Sequence, residues 1–165
     1  MQDMSELLSI AEIAVTIAGF SALVSILAWR RENFDPKAEG LRLILALEAS
    51  LFVALFSALP LVPHKFGMDG ALVWRVCAIV YLLSDIAFAI LMTKRTKNID
   101  RFWPSVLISR VLWGISLLGQ ILLALAAIGF PEGTAHAWYF SALFLNLINS
   151  GLLFLVVAWN TFVPK

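Results

Sequence analysis

The strongest constraint on this chain is its division into five long apolar runs, at residues 7–29, 41–62, 71–92, 105–130 and 136–159, with charge pushed into the gaps between them. About 20 apolar residues in a helix span the roughly 30 Å hydrocarbon core of a bilayer, and every run reaches that length. The expected fold is all-α, a polytopic bundle of five transmembrane helices forming a single domain over residues 1–165. Hydrophobic residues make up 61% of the chain, and no hydrophilic stretch is long enough to bury an aqueous core of its own. The leading residues carry Asp3 and Glu6 where a secretory signal carries positive charge, and no small-residue cleavage site follows, so the first run is expected to be a permanent span.

Orientation follows from where Lys and Arg collect. The gap after the first run holds Arg30, Arg31, Lys37 and Arg42, and the gap after the third holds Lys94, Arg95, Lys97 and Arg101; the second gap has only Lys65 and the fourth has none. Basic residues accumulate on the cytoplasmic side, so the N-terminus is expected outside and the C-terminus, with Lys165, inside. The tryptophans agree with this placement: Trp29, Trp103 and Trp159 fall at the inner surface and Trp74 and Trp138 at the outer, while Trp113 is deep. Pro60, Pro63 and the glycines Gly67 and Gly70 end one outer hairpin, Pro131 and Gly133 end the other, and Asp35-Pro36 and Trp103-Pro104 mark the inner loops. A net charge of +1 offers nucleic acid no bulk attraction. The single cysteine, Cys77, cannot form an intrachain disulfide.

Five ionisable side chains fall inside the runs: Glu12, Glu48, Arg75, Asp85 and Arg110. A charge at the bilayer centre costs about 2.5–3.5 kcal/mol on insertion scales, so such residues face the bundle interior or water and find partners. At about 1.5 Å per residue, Glu48, Asp85 and Arg110 form an expected inner layer, with Arg110 paired to Glu48 or Asp85. Glu12 and Arg75 form an expected outer pair. Three carboxylates face two guanidiniums, so one acid lacks a fixed countercharge; it is either held protonated or faces water or a cation. Asp85, the deepest acid, is the first candidate and Glu48 the second.

Neutral polar residues fall in stripes. In the fifth run Tyr139, Asn146, Asn149 and Ser150 share one helical face, and in the fourth Ser105, Ser109, Ser116 and Gln120 do so, with Trp113 among them. Facing stripes can form interhelical hydrogen bonds, worth roughly 0.6 kcal/mol each on average, or a wetted path. Ala46, Ser50, Ala54 and Ala58, and Ala14, Ala18 and Ala22, recur every fourth residue as strips where backbones can approach closely. Glu48 points away from the first strip, which gives that helix two non-lipid faces, at the bundle centre or at a subunit interface. There is no zinc, phosphate-loop, paired-cysteine or paired-aspartate motif, so neither an enzyme nor a bound cofactor or metal is expected. His64 and His136 read as interfacial residues.

The segment AEIAVTIAGFSA at 11–22, then Trp29-Arg30-Arg31, Arg42-Leu43, Glu48-Ala49-Ser50-Leu51, Ala58-Leu59-Pro60 and Trp74-Arg75, resembles a family of small uncharacterised bacterial multi-pass membrane proteins with no assigned activity. The resemblance covers about the first half of the chain and implies a bacterial inner membrane. The leading expectation for function is a small self-associating integral membrane protein that provides a polar pathway, channel-like or carrier-like, for a small cation or proton. Asp85 and Glu48 would attract the cation, Arg110 and Arg75 would hold them, and Asn146, Asn149, Ser116 and Gln120 would line the middle. The alternative is a membrane scaffold or accessory subunit whose basic inner loops, 30–42 and 94–101, dock a cytosolic protein partner or anionic lipid.

Overall fold

Ser105 opens one helix and Gly129 closes it, and both act through backbone chemistry. After Trp103-Pro104 the chain is extended at Ser105, whose hydroxyl accepts a hydrogen bond from the Ile108 N–H at 3.2 Å, satisfying a donor that the first turn leaves orphaned. At the other end Gly129 adopts φ 74°, a left-handed cap that glycine reaches without strain. In this computed structural model, residues 2–30, 35, 37–68, 70–99 and 102–162 are described, and they form α1 (Gln2–Ala28), α2 (Glu39–Ala58), α3 (Leu61–Lys65), α4 (Ala71–Thr96), α5 (Val106–Ile128) and α6 (Ala135–Phe162). Arg31, Pro36, Arg101 and Lys165 lie outside the described residues. The five helical segments starting at Met4, Glu39, Ala71, Val106 and Ala135 are each long and apolar enough to cross a membrane. α3 is a single added turn after Pro60, which has no N–H to continue α2.

The helices pack as two triplets that share α6. One contains α1, α2 and α6, the other α4, α5 and α6. α6 is thus the hub of the bundle, a place the small-residue strip had pointed to for α2. The contact stripes follow a period of 3.5 residues: Leu7, Ile10, Ala14, Ala18, Ser21, Val24 and Ala28 are buried on α1, and Leu43, Ala46, Ser50, Val53 and Ser57 on α2. A strict four-residue strip instead rotates off its neighbour, because eight residues turn about 80° past the starting face. Ala22 is accordingly exposed, and Ser21 takes its place in the contact.

Large apolar side chains cover the outside. Leu23, Leu55, Leu83, Leu117 and Leu155 are each more than half exposed, the reverse of an aqueous surface and consistent with an integral membrane protein. The buried serines do not glue helices together: Ser21, Ser50 and Ser57 donate to carbonyls four residues back in their own helices. Interhelical polar contacts come from longer side chains.

Candidate functional site: a carboxylate chamber

α2 and α4 stand apart and meet mainly through side chains, leaving space in front of α6. Towards the bundle end that carries Arg42, Lys94 and Lys97, hereafter the basic end, that space is a cavity of about 70 Å³. An ordered water needs roughly 10–15 Å³ by the same measure, so several fit. The walls come from four helices: Ala49 and Phe52 of α2, Asp85 and Phe88 of α4, Trp113 and Ser116 of α5, Asn146 and Asn149 of α6.

Asp85 is only 7% exposed. Its Oδ2 accepts a hydrogen bond from Gln120 Nε2 of α5 at 2.9 Å, and among the described residues no cation bonds to it. One carboxylate oxygen therefore has a neutral donor and the other has no recorded protein partner. Asn149 Oδ1 is buried and also lacks a hydrogen-bond partner among the described residues, which is costly in a dry wall. Asn146 Nδ2 donates to the hydroxyl of Tyr81 at 2.8 Å, and Gly119 of α5 leaves room for the Asn146 amide against its backbone.

Aromatic side chains close the chamber on the side away from the basic end. Tyr81 and Tyr139 are fully buried. Tyr81 stacks on Phe56, with ring centroids 4.4 Å apart and planes 8° from parallel, and meets Tyr139 edge-on at 5.9 Å. The hydroxyl of Tyr139 donates to the Phe56 carbonyl at 2.7 Å. That carbonyl lies four residues before Pro60, the position a proline leaves without its helical donor. A neighbouring helix thus supplies the missing bond, as apolar surroundings require.

Trp103 lines the chamber at the basic end. Phe102 is buried beside it, the two rings perpendicular at 4.9 Å. The segment is pinned by Arg42, whose Nε donates to the Phe102 carbonyl and whose guanidinium lies 5.5 Å from the Phe102 ring centroid. Laterally, Phe52 stacks on Phe88 at 5.4 Å and separates the chamber from an outer cleft between α2 and α4.

The structure brings Asp85, Ser116, Asn146 and Asn149 to one chamber, with Gln120 bonded to Asp85 from behind. The other sequence candidates lie elsewhere. Glu48 does not pair with Arg110: it forms an ion pair with Arg95, which places Nη1 2.8 Å from Glu48 Oε2 on the outer side of the Phe52–Phe88 wall, with side chains 35% and 47% exposed for Glu48 and Arg95. α4 continues to Thr96, beyond the apolar run, and so carries Arg95 within reach. Arg110 is exposed in a separate groove with Thr96 and Ser109, so the expected inner charge layer is split.

The outer pair does not form either. Glu12 lies on the exposed face of α1, whereas Arg75 lies against Gly129 at the C-terminus of α5, where a Cβ would come within 2.3 Å of Arg75 Nε. The negative end of the α5 dipole provides the electrostatic complement that Glu12 was expected to give. Tyr139 leaves the polar stripe as well, bonded to Phe56, whereas Ser150 lines the chamber with its hydroxyl donating to the Leu147 carbonyl of its own helix. Ser105 is a helix cap.

Sequence reasoning put Arg42 in an inner docking loop, whereas it is buried on α2, and it missed Phe52, Phe56, Tyr81 and Phe88. Pro60 held one usable signal, since a proline inside an apolar run calls for a donor near residue 56. No family model matches the chain, and no curated protein or solved structure matches it.

Proposed function

We propose that this protein is an integral membrane carrier for a proton or small cation, with Asp85 as its binding carboxylate. The observation behind this reading is a buried acid on the wall of a chamber with room for several waters, bonded among the described residues only to the neutral Gln120 amide. A structural acid at this depth is expected beside Arg or Lys; Asp85 has space beside it instead. An acid in that position can take up and release a proton, or hold a cation that has shed most of its water.

The two closures favour a carrier over an open pore. Tyr81, Tyr139 and Phe56 shut one end and the Phe102–Trp103 segment borders the other, so the site would open to one side at a time. We place the basic end in the cytoplasm and the N-terminus outside, from the Lys and Arg distribution, and the resemblance over about the first half of the chain suggests a bacterial inner membrane.

The test is flux into liposomes containing the purified protein, followed with an internal pH-sensitive dye under an imposed potential. Wild-type flux should fall at least tenfold in Asp85→Asn and persist in Glu48→Gln and Arg110→Gln. Unchanged flux in Asp85→Asn would remove the assignment.

A further inference from the structure

The chamber is poorly built for an alkali cation. Such an ion exchanges its hydration shell for a ring of oxygens, and here only Asp85, Ser116, Asn146, Asn149 and Ser150, five of the sixteen lining residues, carry a side-chain oxygen. Much of the remaining wall is aliphatic or aromatic, with Phe52, Phe88 and Trp113 around the carboxylate. An aromatic and carboxylate surround suits a cation that carries its own apolar surface, because ring faces attract positive charge and carbon alike.

Deepening the carrier reading, and resting on it for the role of Asp85, we propose that the chamber binds a primary alkylammonium ion of one or two carbons. An ammonium head has three donors and no acceptor. The second oxygen of Asp85, the Ser116 hydroxyl and the amide oxygen of Asn146, whose nitrogen is the atom that donates to Tyr81, supply three acceptors on the chamber wall. Size sets the limit on the tail. An apolar cavity of about 150 Å³ accommodates benzene; this chamber, at about 70 Å³, has room for roughly half as many heavy atoms. Methylammonium and ethylammonium fit, and tetraethylammonium does not.

Calorimetric titration of the full-length protein in nanodiscs, with chloride salts of methylammonium, ethylammonium, ammonium, potassium and tetraethylammonium, tests this. Affinity should rise roughly fourfold per added carbon from ammonium to ethylammonium, and potassium and tetraethylammonium should give no saturable heat. Asp85→Asn, whose side-chain oxygen can still accept from Gln120, should abolish binding, and Phe88→Leu should weaken it several-fold while eluting as wild type on size exclusion. Potassium binding as tightly as ethylammonium, any tetraethylammonium binding, or undiminished binding by a folded Asp85→Asn overturns the proposal. Asp85-dependent proton flux without alkylammonium binding overturns this ligand class and leaves the carrier reading in place. Saturable ethylammonium binding without flux of any ion does the reverse.

Discussion

The two halves of this bundle are built from the same helices and solve opposite problems. Away from the basic end, α2, α4 and α6 fill the space between them with Phe56, Tyr81, Tyr139 and Trp74, and the Tyr139 hydroxyl there answers a backbone need. Towards the basic end the same three helices, joined by α5, leave a chamber with an acid and two amides on its wall. The difference teaches that polarity alone does not mark a site within a membrane bundle. Tyr139 and Asn149 belong to one polar stripe of α6, yet one completes a proline-broken helix and the other lines the chamber.

Chemical accessibility gives the widest separation between the halves. Cys77, the single cysteine, is buried in the aromatic half, so the wild-type protein should stay unlabelled by a small thiol reagent while Ser116→Cys in the chamber should be labelled. Comparable labelling of both would erase the contrast.

Stability should separate them next. Gly129→Ala should destabilise the protein by about 1–3 kcal/mol from the strain of a positive φ, the Arg75 guanidinium being the mobile end of its side chain, measurable as a lowered midpoint of unfolding in mixed micelles. Tyr139→Phe should cost about 1–3 kcal/mol, because the Phe56 carbonyl then has neither a helical donor nor the phenol. A midpoint equal to wild type would mean that the carbonyl finds another donor. Glu48→Gln should cost less than about 1 kcal/mol, as its ion pair with Arg95 is partly exposed. Arg110→Gln should be neutral by the same measurement, since no bond to its side chain is recorded among the described residues.

Much of the fold was legible in advance because burial in lipid is a one-dimensional requirement. Apolar length located all five long helices to within a few residues, and Pro60, Trp103-Pro104 and Pro131 marked their connections. The misplacements have specific causes. Counting charges inside apolar runs excluded Arg95, because a helix does not stop where its apolarity does, and that omission left Glu48 assigned to the wrong arginine. Spacing by fours put Ala22 in a contact that the 3.5-residue period gives to Ser21. Asp85 was singled out by depth, but depth cannot reveal that Gln120 is its partner, since the two are 35 residues apart on different helices.

The sequence by itself determined the number and approximate placement of the long helices and which side chains carry charge at depth, because those depend on hydrophobicity and rise per residue. Only the tertiary structure decided that α6 is shared by both triplets, that Arg75 meets a helix end in place of Glu12, and that Asp85 borders a cavity. Partnerships of that kind depend on how helices rotate about their axes when small residues let some backbones close in and aromatic rings hold others apart.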